Sequence, residues 1–236
     1  MGSAMRKGED ATMRTEMRIE GDQTAFVVLD LDPAYHDALR DLYPEGDPFA
    51  QRYPTKTPHL DRICANFARD AETMIGQTAR AQPANWEQAL DAFLRVIAPL
   101  DLDWWLCGSA ALAIRGLDIA PRDIDLSVSD ADAHRLGTAL LDHLVEPVSP
   151  TPGWFCNWFG RAFLHARVEW VGGVDTRADH LHVSDFGPTA AARAQIVIWH
   201  GYSLQVPPLD LQLDVSRRRG LTGRVAAIER ALQSAH

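Results

Sequence analysis

Leu106-Cys107-Gly108-Ser109, followed after thirteen residues by Asp123-Ile124-Asp125-Leu126, decides how this chain is read. The first four residues end a strand and turn through Gly-Ser into a helix; the second four lie on a strand. Side chains alternate between the faces of a strand, so Asp123 and Asp125 project together while Ile124 and Leu126 turn into the core. Two carboxylates side by side repel unless a cation holds them. Their oxygens suit hard divalent ions, Mg²⁺ above all, which leaves its remaining positions to water and substrate phosphates. Gly108-Ser109 supplies the complement, because glycine lets a phosphate approach the backbone and a helix N-terminus offers unpaired N–H donors.

Spacing alone carries little weight, since Asp30/Asp32, Asp101/Asp103 and Asp130/Asp132 repeat it. Asp101 and Asp103 precede a strand and Asp130 and Asp132 open a helix, so solvated or capping roles account for them. Phe26-Val27-Val28-Leu29-Asp30-Leu31-Asp32 resembles the opening of haloacid-dehalogenase-type phosphotransferases. The match fails at Pro33, where Thr or Val is usual, and no downstream Lys with paired acids completes it. What sets Asp123 and Asp125 apart is the apolar alternation of Ile124, Leu126 and Val128, which forces the acids to one face. Arg122 beside them suits a carboxylate or a triphosphate.

The elements around this stretch alternate. Apolar spacing predicts amphipathic helices over residues 59–80 and 85–97, then a strand at Trp104–Cys107, a helix at Ser109–Arg115, a strand at Asp123–Val128 and a helix over Asp130–His143 that Ser129 caps. Pro147, Pro150, Pro152 and Gly153 break the chain before strands at Ala162–Trp170, Gln195–Trp199 and Tyr202–Val206, the last two joined by a turn at His200-Gly201. Helices follow over Leu209–Arg219, ended by Gly220, and Thr222–Gln233. Upstream, Phe26–Leu29 reads as a strand, Ala34–Leu42 as a short helix, and the proline-rich 44–58 stretch as irregular. The expected organisation is a flexible leader over 1–23, an N-terminal extension over 24–84, an α/β core over 85–206 and a C-terminal helical segment over 207–236.

Cys107-Gly108-Ser109 and Asp123-Ile124-Asp125-Leu126 together resemble the signature of the nucleotidyltransferase superfamily of the DNA polymerase β type. The resemblance spans roughly residues 85–170 and is strongest to small bacterial members, including antibiotic nucleotidyltransferases and those of toxin–antitoxin and abortive-infection systems. It implies an α/β (α+β) mixed sheet with flanking helices, and transfer of a nucleoside monophosphate from an NTP to a hydroxyl or similar acceptor by a two-metal mechanism using Mg²⁺ or Mn²⁺. It further implies that Asp123 and Asp125 hold metal, that Gly108 and Ser109, with Arg122, serve the phosphates, and that a third carboxylate stands on a later strand. Glu169, between the core-facing Val168 and Trp170, is the preferred third acid. Asp175 is its substitute, and an Arg167–Glu169 surface pair is the bland alternative. A catalytically inactive relative that binds nucleotide or regulates a partner is the competing reading.

Composition narrows the partners. In 236 residues, 46% hydrophobic, 23 basic against 32 acidic side chains give a net charge of −9, which favours a small-molecule acceptor over nucleic acid. Cys64, Cys107 and Cys156 lack metal-ligand spacing and read as reduced thiols of a cytoplasmic protein. No apolar run approaches the ~18 residues of a membrane span. Isolated His180 and His182 read as surface or packed residues, and Arg217-Arg218-Arg219 as a solvated helix end. The N-terminal region has two open roles, covering the nucleotide or providing a homodimer surface.

Overall fold

The computed structural model of the protein describes residues 13–44 and 46–234, and the chain divides after Gln82 into two compact units. In the first unit an antiparallel sheet of order β1-β2-β3 joins β1 (Arg14–Glu20), β2 (Gln23–Leu29) and β3 (Ala50–Pro54), with α1 (His36–Leu42) and α2 (Leu60–Thr78) beside it. Phe26 meets Tyr53 and Phe67 at ring-centroid distances of 5.1 and 6.0 Å, tying β2 to β3 and α2.

Two sequence expectations change here. Residues 1–12 of the expected leader lie outside the described residues, but from Arg14 onward it is a strand, paired to β2 through the two-residue turn Gly21-Asp22 with Gly21 at φ +68°. Glycine at the first central position suits such a hairpin, and the strand is nearly all exposed, so no buried alternation announced it. The 44–58 stretch contains β3, an outer strand on which Pro54 is tolerated. Asp30 pairs with Arg14 and Asp32 accepts the Ala34 amide at 2.8 Å, so both have local duties.

The second unit is an α/β assembly around a mixed five-stranded sheet. Its elements are α3 (Trp86–Ile97), β4 (Trp104–Cys107), α4 (Gly108–Ala113), β5 (Asp123–Val128), α5 (Asp132–Ala139), β6 (Leu144–Pro150), β7 (Trp158–Leu164), β8 (Ala166–Gly172), α6 (Pro188–Ala192), β9 (Gln195–Trp199), β10 (Tyr202–Val206), α7 (Leu209–Arg218) and α8 (Thr222–Ser234). Strand order is β4-β5-β8-β7-β6, with β5 and β8 parallel and the other pairs antiparallel. Ile124, Leu126, Val168 and Trp170 are buried on one face, against which α3 and α5 pack; Trp170 Nε1 donates to the Ala133 carbonyl at 3.2 Å. Gly160 leaves the space that the Trp170 ring fills.

The run expected as one strand over Ala162–Trp170 is a hairpin, β7 and β8, turning at His165 with φ +66°. A histidine in an otherwise apolar run gave no turn signal. β6 occupies part of the expected break: it is an outer strand whose register slips on either side of Glu146, and such irregular edges accommodate Pro147. The β9–β10 hairpin turns at His200-Gly201, both at positive φ as a type I′ turn requires. Leu112 of α4 packs with Leu213 of α7 and Ile228 of α8, which fastens the C-terminal helices to the helix that follows the Gly-Ser turn.

Asp132 anchors α5. Its Oδ2 accepts the Asp103 amide and the Ser129 hydroxyl, both at 2.8 Å, and the Ser129 hydroxyl accepts the Asp132 amide in return at 3.2 Å. Burial alone would raise its carboxyl, but these bonds and Arg135 hold it below the usual carboxylate range. Asp132→Ala should cost about 1–3 kcal/mol at pH 7. A depressed carboxyl contributes stability above its unfolded pKa and loses it as pH falls, so the deficit should shrink in urea titrations repeated at pH 3. An undiminished deficit at pH 3 would contradict this role.

Candidate functional site

β5 and β8 run parallel in a register that sets Asp125 beside Glu169 and Asp123 beside Arg167, all on the face away from α3 and α5. One carboxylate oxygen each from Asp123, Asp125 and Glu169 lie within 4.8 Å of one another. These acids belong to a ladder of alternating charge. Glu146 on β6 pairs with Arg161 on β7; Arg161 Nε donates to Glu169 Oε1 at 2.8 Å; Arg167 donates through Nη1 to the same oxygen at 2.6 Å and through Nη2 to Asp123 Oδ2 at 2.7 Å. Arg167 and Glu169 thus form a buried bridge at the centre of the sheet, not a surface pair. Four carboxylates, Glu146, Glu169, Asp123 and Asp125, against two guanidiniums leave two negative charges. One divalent cation carries two positive charges.

The proton affinities follow this arrangement. Burial pushes Asp125 well above the usual carboxylate range, and the neighbouring charges of Asp123, Glu169 and Asp185 push the same way. Asp123 is also raised by burial, although Arg167 opposes it. Burial alone would raise Glu169, but Arg161 and Arg167 outweigh it and hold the carboxyl below its ordinary value. Asp125 is therefore the acid that most lacks a counter-charge.

Gly108 sits at φ +60°, and a Cβ there would overlap Asp125 Oδ2. Both the left-handed backbone and the approach of the carboxylate demand glycine. Its amide already donates to Asp185 Oδ2 at 3.2 Å, and its carbonyl accepts from Gln212 Nε2 at 3.0 Å. Ser109 is buried behind it. Asp185, absent from the sequence reading, comes from a strap whose carbonyls are pinned to the same sheet face: Trp105 Nε1 donates to the Asp185 carbonyl at 3.1 Å and the Ser127 hydroxyl to the Phe186 carbonyl at 3.1 Å. Burial raises the Asp185 carboxyl. Only distant chain pairing brings it here, and a lone Asp in a loop gave no signal.

The other candidates are dispersed. Arg122 is exposed, close enough for its charge to lower Asp123. Asp175 caps a short 3₁₀ turn by accepting the Arg177 amide at 2.7 Å. His180 ends that turn, and His182 lines a cavity beside Asp185. Arg217 pairs with Glu229 at 2.7 Å, and Arg218 donates to the Val183 carbonyl.

No family model and no curated protein matches the sequence. Among solved structures, the chain is similar to a protein of Thermotoga maritima described as a candidate nucleotidyltransferase, at 17% identity and a TM-score of 0.46 over 61% of this chain and 91% of that one. It is also similar to an antigenic nucleotidyltransferase-like protein of Paracoccidioides brasiliensis, at 12% identity and a TM-score of 0.41 over 62% and 77% of the two chains. The fold is nucleotidyltransferase-like. These likenesses concern the fold alone; the chemistry of this nucleotidyltransferase-like site rests on its own geometry.

Two substitutions probe the ladder. Arg161→Met keeps the bulk but leaves Glu146 and Glu169 buried without their shared counter-charge, so it should cost about 3–5 kcal/mol in chemical denaturation. A neutral result would mean that the ladder does not hold the sheet. Asp125→Asn should act in the opposite direction. A carboxyl raised in the folded state stabilises below its unfolded pKa and loses that contribution as pH rises. The metal-free variant should therefore melt higher than wild type at pH 7.5, with the gap closing toward pH 4. A lower melting temperature at pH 7.5 would refute the assignment of Asp125 as the uncompensated charge.

Proposed function

We propose that this protein is a metal-dependent nucleotidyltransferase that moves a nucleoside monophosphate from an NTP to a hydroxyl or similar group of an acceptor. The observation that carries the reading is the convergence of Asp123, Asp125 and Glu169 from parallel neighbouring strands onto one point. The donor set is oxygen only and the ladder retains two negative charges, which fits Mg²⁺ or Mn²⁺. Asp123 and Asp125 are the residues that would hold the metal, with Glu169 offering Oε2, since its Oε1 is engaged by both arginines. Bound there, the metal would supply charge neutralisation for the triphosphate and activation of the acceptor oxygen.

The protein's own groups prepare that chemistry. Arg167 spans Asp123 and Glu169 and orders both carboxylates before any ligand arrives. Gly108 clears the space into which Asp125 reaches, and Ser109 and Arg122 are assigned to the phosphates. The acceptor oxygen attacks the α-phosphorus, the bond to the β-phosphate oxygen breaks, and pyrophosphate leaves. Three buried free thiols and the acidic balance support a cytoplasmic protein acting on a small molecule; no helix among the described residues is long and apolar enough to cross a membrane.

A second reading, a catalytically inactive nucleotide-binding relative, is favoured by one observation: Arg161 and Arg167 already satisfy one oxygen of Glu169 without metal. The two separate in one experiment. With α-labelled NTPs, Mg²⁺ or Mn²⁺ and a small-molecule extract, the enzyme should transfer label, and Asp123→Asn or Asp125→Asn should abolish transfer. Absence of transfer, together with a nucleotide- and metal-dependent thermal stabilisation approaching the ~2.7 kcal/mol given by a ligand at 100 times its Kd, would establish the second reading.

A further inference from the structure

The corner between α7 and α8 carries arginines of two kinds. Arg217 and Arg218 are employed structurally, on Glu229 and on the Val183 carbonyl. Arg219 and Arg224 are not: among the described residues neither side chain makes an ion pair or hydrogen bond. Arg224 is nonetheless partly buried at the start of α8, where Val225 and Ile228 pack this helix against Leu112 of α4 and Leu213 of α7. α4 begins at Gly108, so the packing that holds α8 also holds Arg224 beside the Gly-Ser turn.

Its charged neighbours are Asp125, Asp185 and Asp123 on one side and Arg219 on the other; burial and the charge of Arg219 lower its proton affinity, against the pull of the three acids. Arg219 faces Asp185, and both line a cavity of about 270 Å³ whose other walls include Phe155, Phe186 and Val215. Asp185 in turn reaches the Gly108 amide, so the cavity is continuous with the acid cluster. A guanidinium held out of water with no partner is costly, and two together cost more through mutual repulsion. The arrangement suits a polyanion that would satisfy both, since a planar guanidinium matches phosphate oxygens bidentately.

We propose that Arg219 and Arg224 grip the phosphate chain of the nucleoside triphosphate from the side opposite Asp123 and Asp125. The proposal rests on the nucleotidyl-transfer reading and names the residues that complete its site. Negative charge on the substrate is then met on one flank by the arginines and on the other by the metal that the carboxylates hold. The two arginines are binding residues; the C-terminal helices thereby contribute to the substrate site as well as to packing.

Inorganic tripolyphosphate tests this without assuming a base or an acceptor. Calorimetric titration with and without Mg²⁺ should show Arg219→Gln and Arg224→Gln each weakening binding about tenfold, the size of one charge-assisted hydrogen bond, and the double variant weakening it further. Arg224→Lys should retain part of the affinity, and Arg230→Gln, an exposed change on the same helix, should stay within twofold of wild type. Denaturation curves that overlay wild type would separate lost binding from lost folding. Wild-type affinity in the double variant would overturn the proposal, and if label transfer also persisted the nucleotidyl-transfer reading would stand without it. An equal loss in Arg230→Gln would overturn it as well, by exposing non-specific attraction. A wild-type protein that takes up no tripolyphosphate and transfers no label would remove the reading and the grip together.

Discussion

The alternating charge ladder across β6, β7, β8 and β5 is the interaction on which this structure depends. Ion pairs removed from water are costly unless each oxygen and each N–H finds a partner. Here the sheet register does that matching, since Glu146, Arg161 and Glu169 lie opposite one another on successive strands and Arg167 returns the chain of contacts to Asp123. The ladder stops short of Asp125. That carboxylate is left to neighbours of its own sign, and the site's affinity for a cation follows from this omission. Stability and ligand demand are set by one row of side chains: its paired members hold the sheet, and its unpaired member creates the need for metal.

The two faces of the sheet divide the labour. One is apolar and carries α3 and α5, with Trp170 filling the space above Gly160. The other is polar, and over part of it the strap through Asp185 and Phe186 satisfies Trp105 and Ser127. What remains uncovered by that strap is the Asp123–Asp125 end of β5. Because β4 turns directly into α4 at Gly108, the same end of the sheet meets the C-terminal helices, which brings a basic corner toward an acidic one.

Much of this was legible locally. Trp104–Cys107 and Asp123–Val128 were readable to the residue because apolar alternation marks a half-buried strand, and the shared face of Asp123 and Asp125 follows from period two alone. Glu169 was nameable because Val168 and Trp170 flank it, but its alignment with Asp125 depends on parallel pairing between segments over forty residues apart, which no local pattern encodes. Arg161, Asp185 and Arg224 escaped notice for the same reason. An arginine between apolar residues looks like a surface group until the partner strand brings its carboxylate. The strands β1, β3 and β6 were missed for a different cause: outer strands bury little and tolerate proline, so the signals that reveal an inner strand are weak there.

The turn at His165 has a consequence beyond joining two strands. Leu164 and Ala166 already pair with each other, so a single residue separates β7 from β8. Every side chain of β8 is counted from that point. Lengthening the turn by one residue while holding the β5–β8 pairing would face Val168 toward the acids and drive Glu169 against α3 and α5, because successive strand residues point to opposite sides. The left-handed histidine can be exchanged for glycine or asparagine without disturbing this count, whereas an insertion or deletion cannot. In lineages descended from this sequence, the length of that turn should be more constant than its residue type, even though it lies apart from the reacting groups.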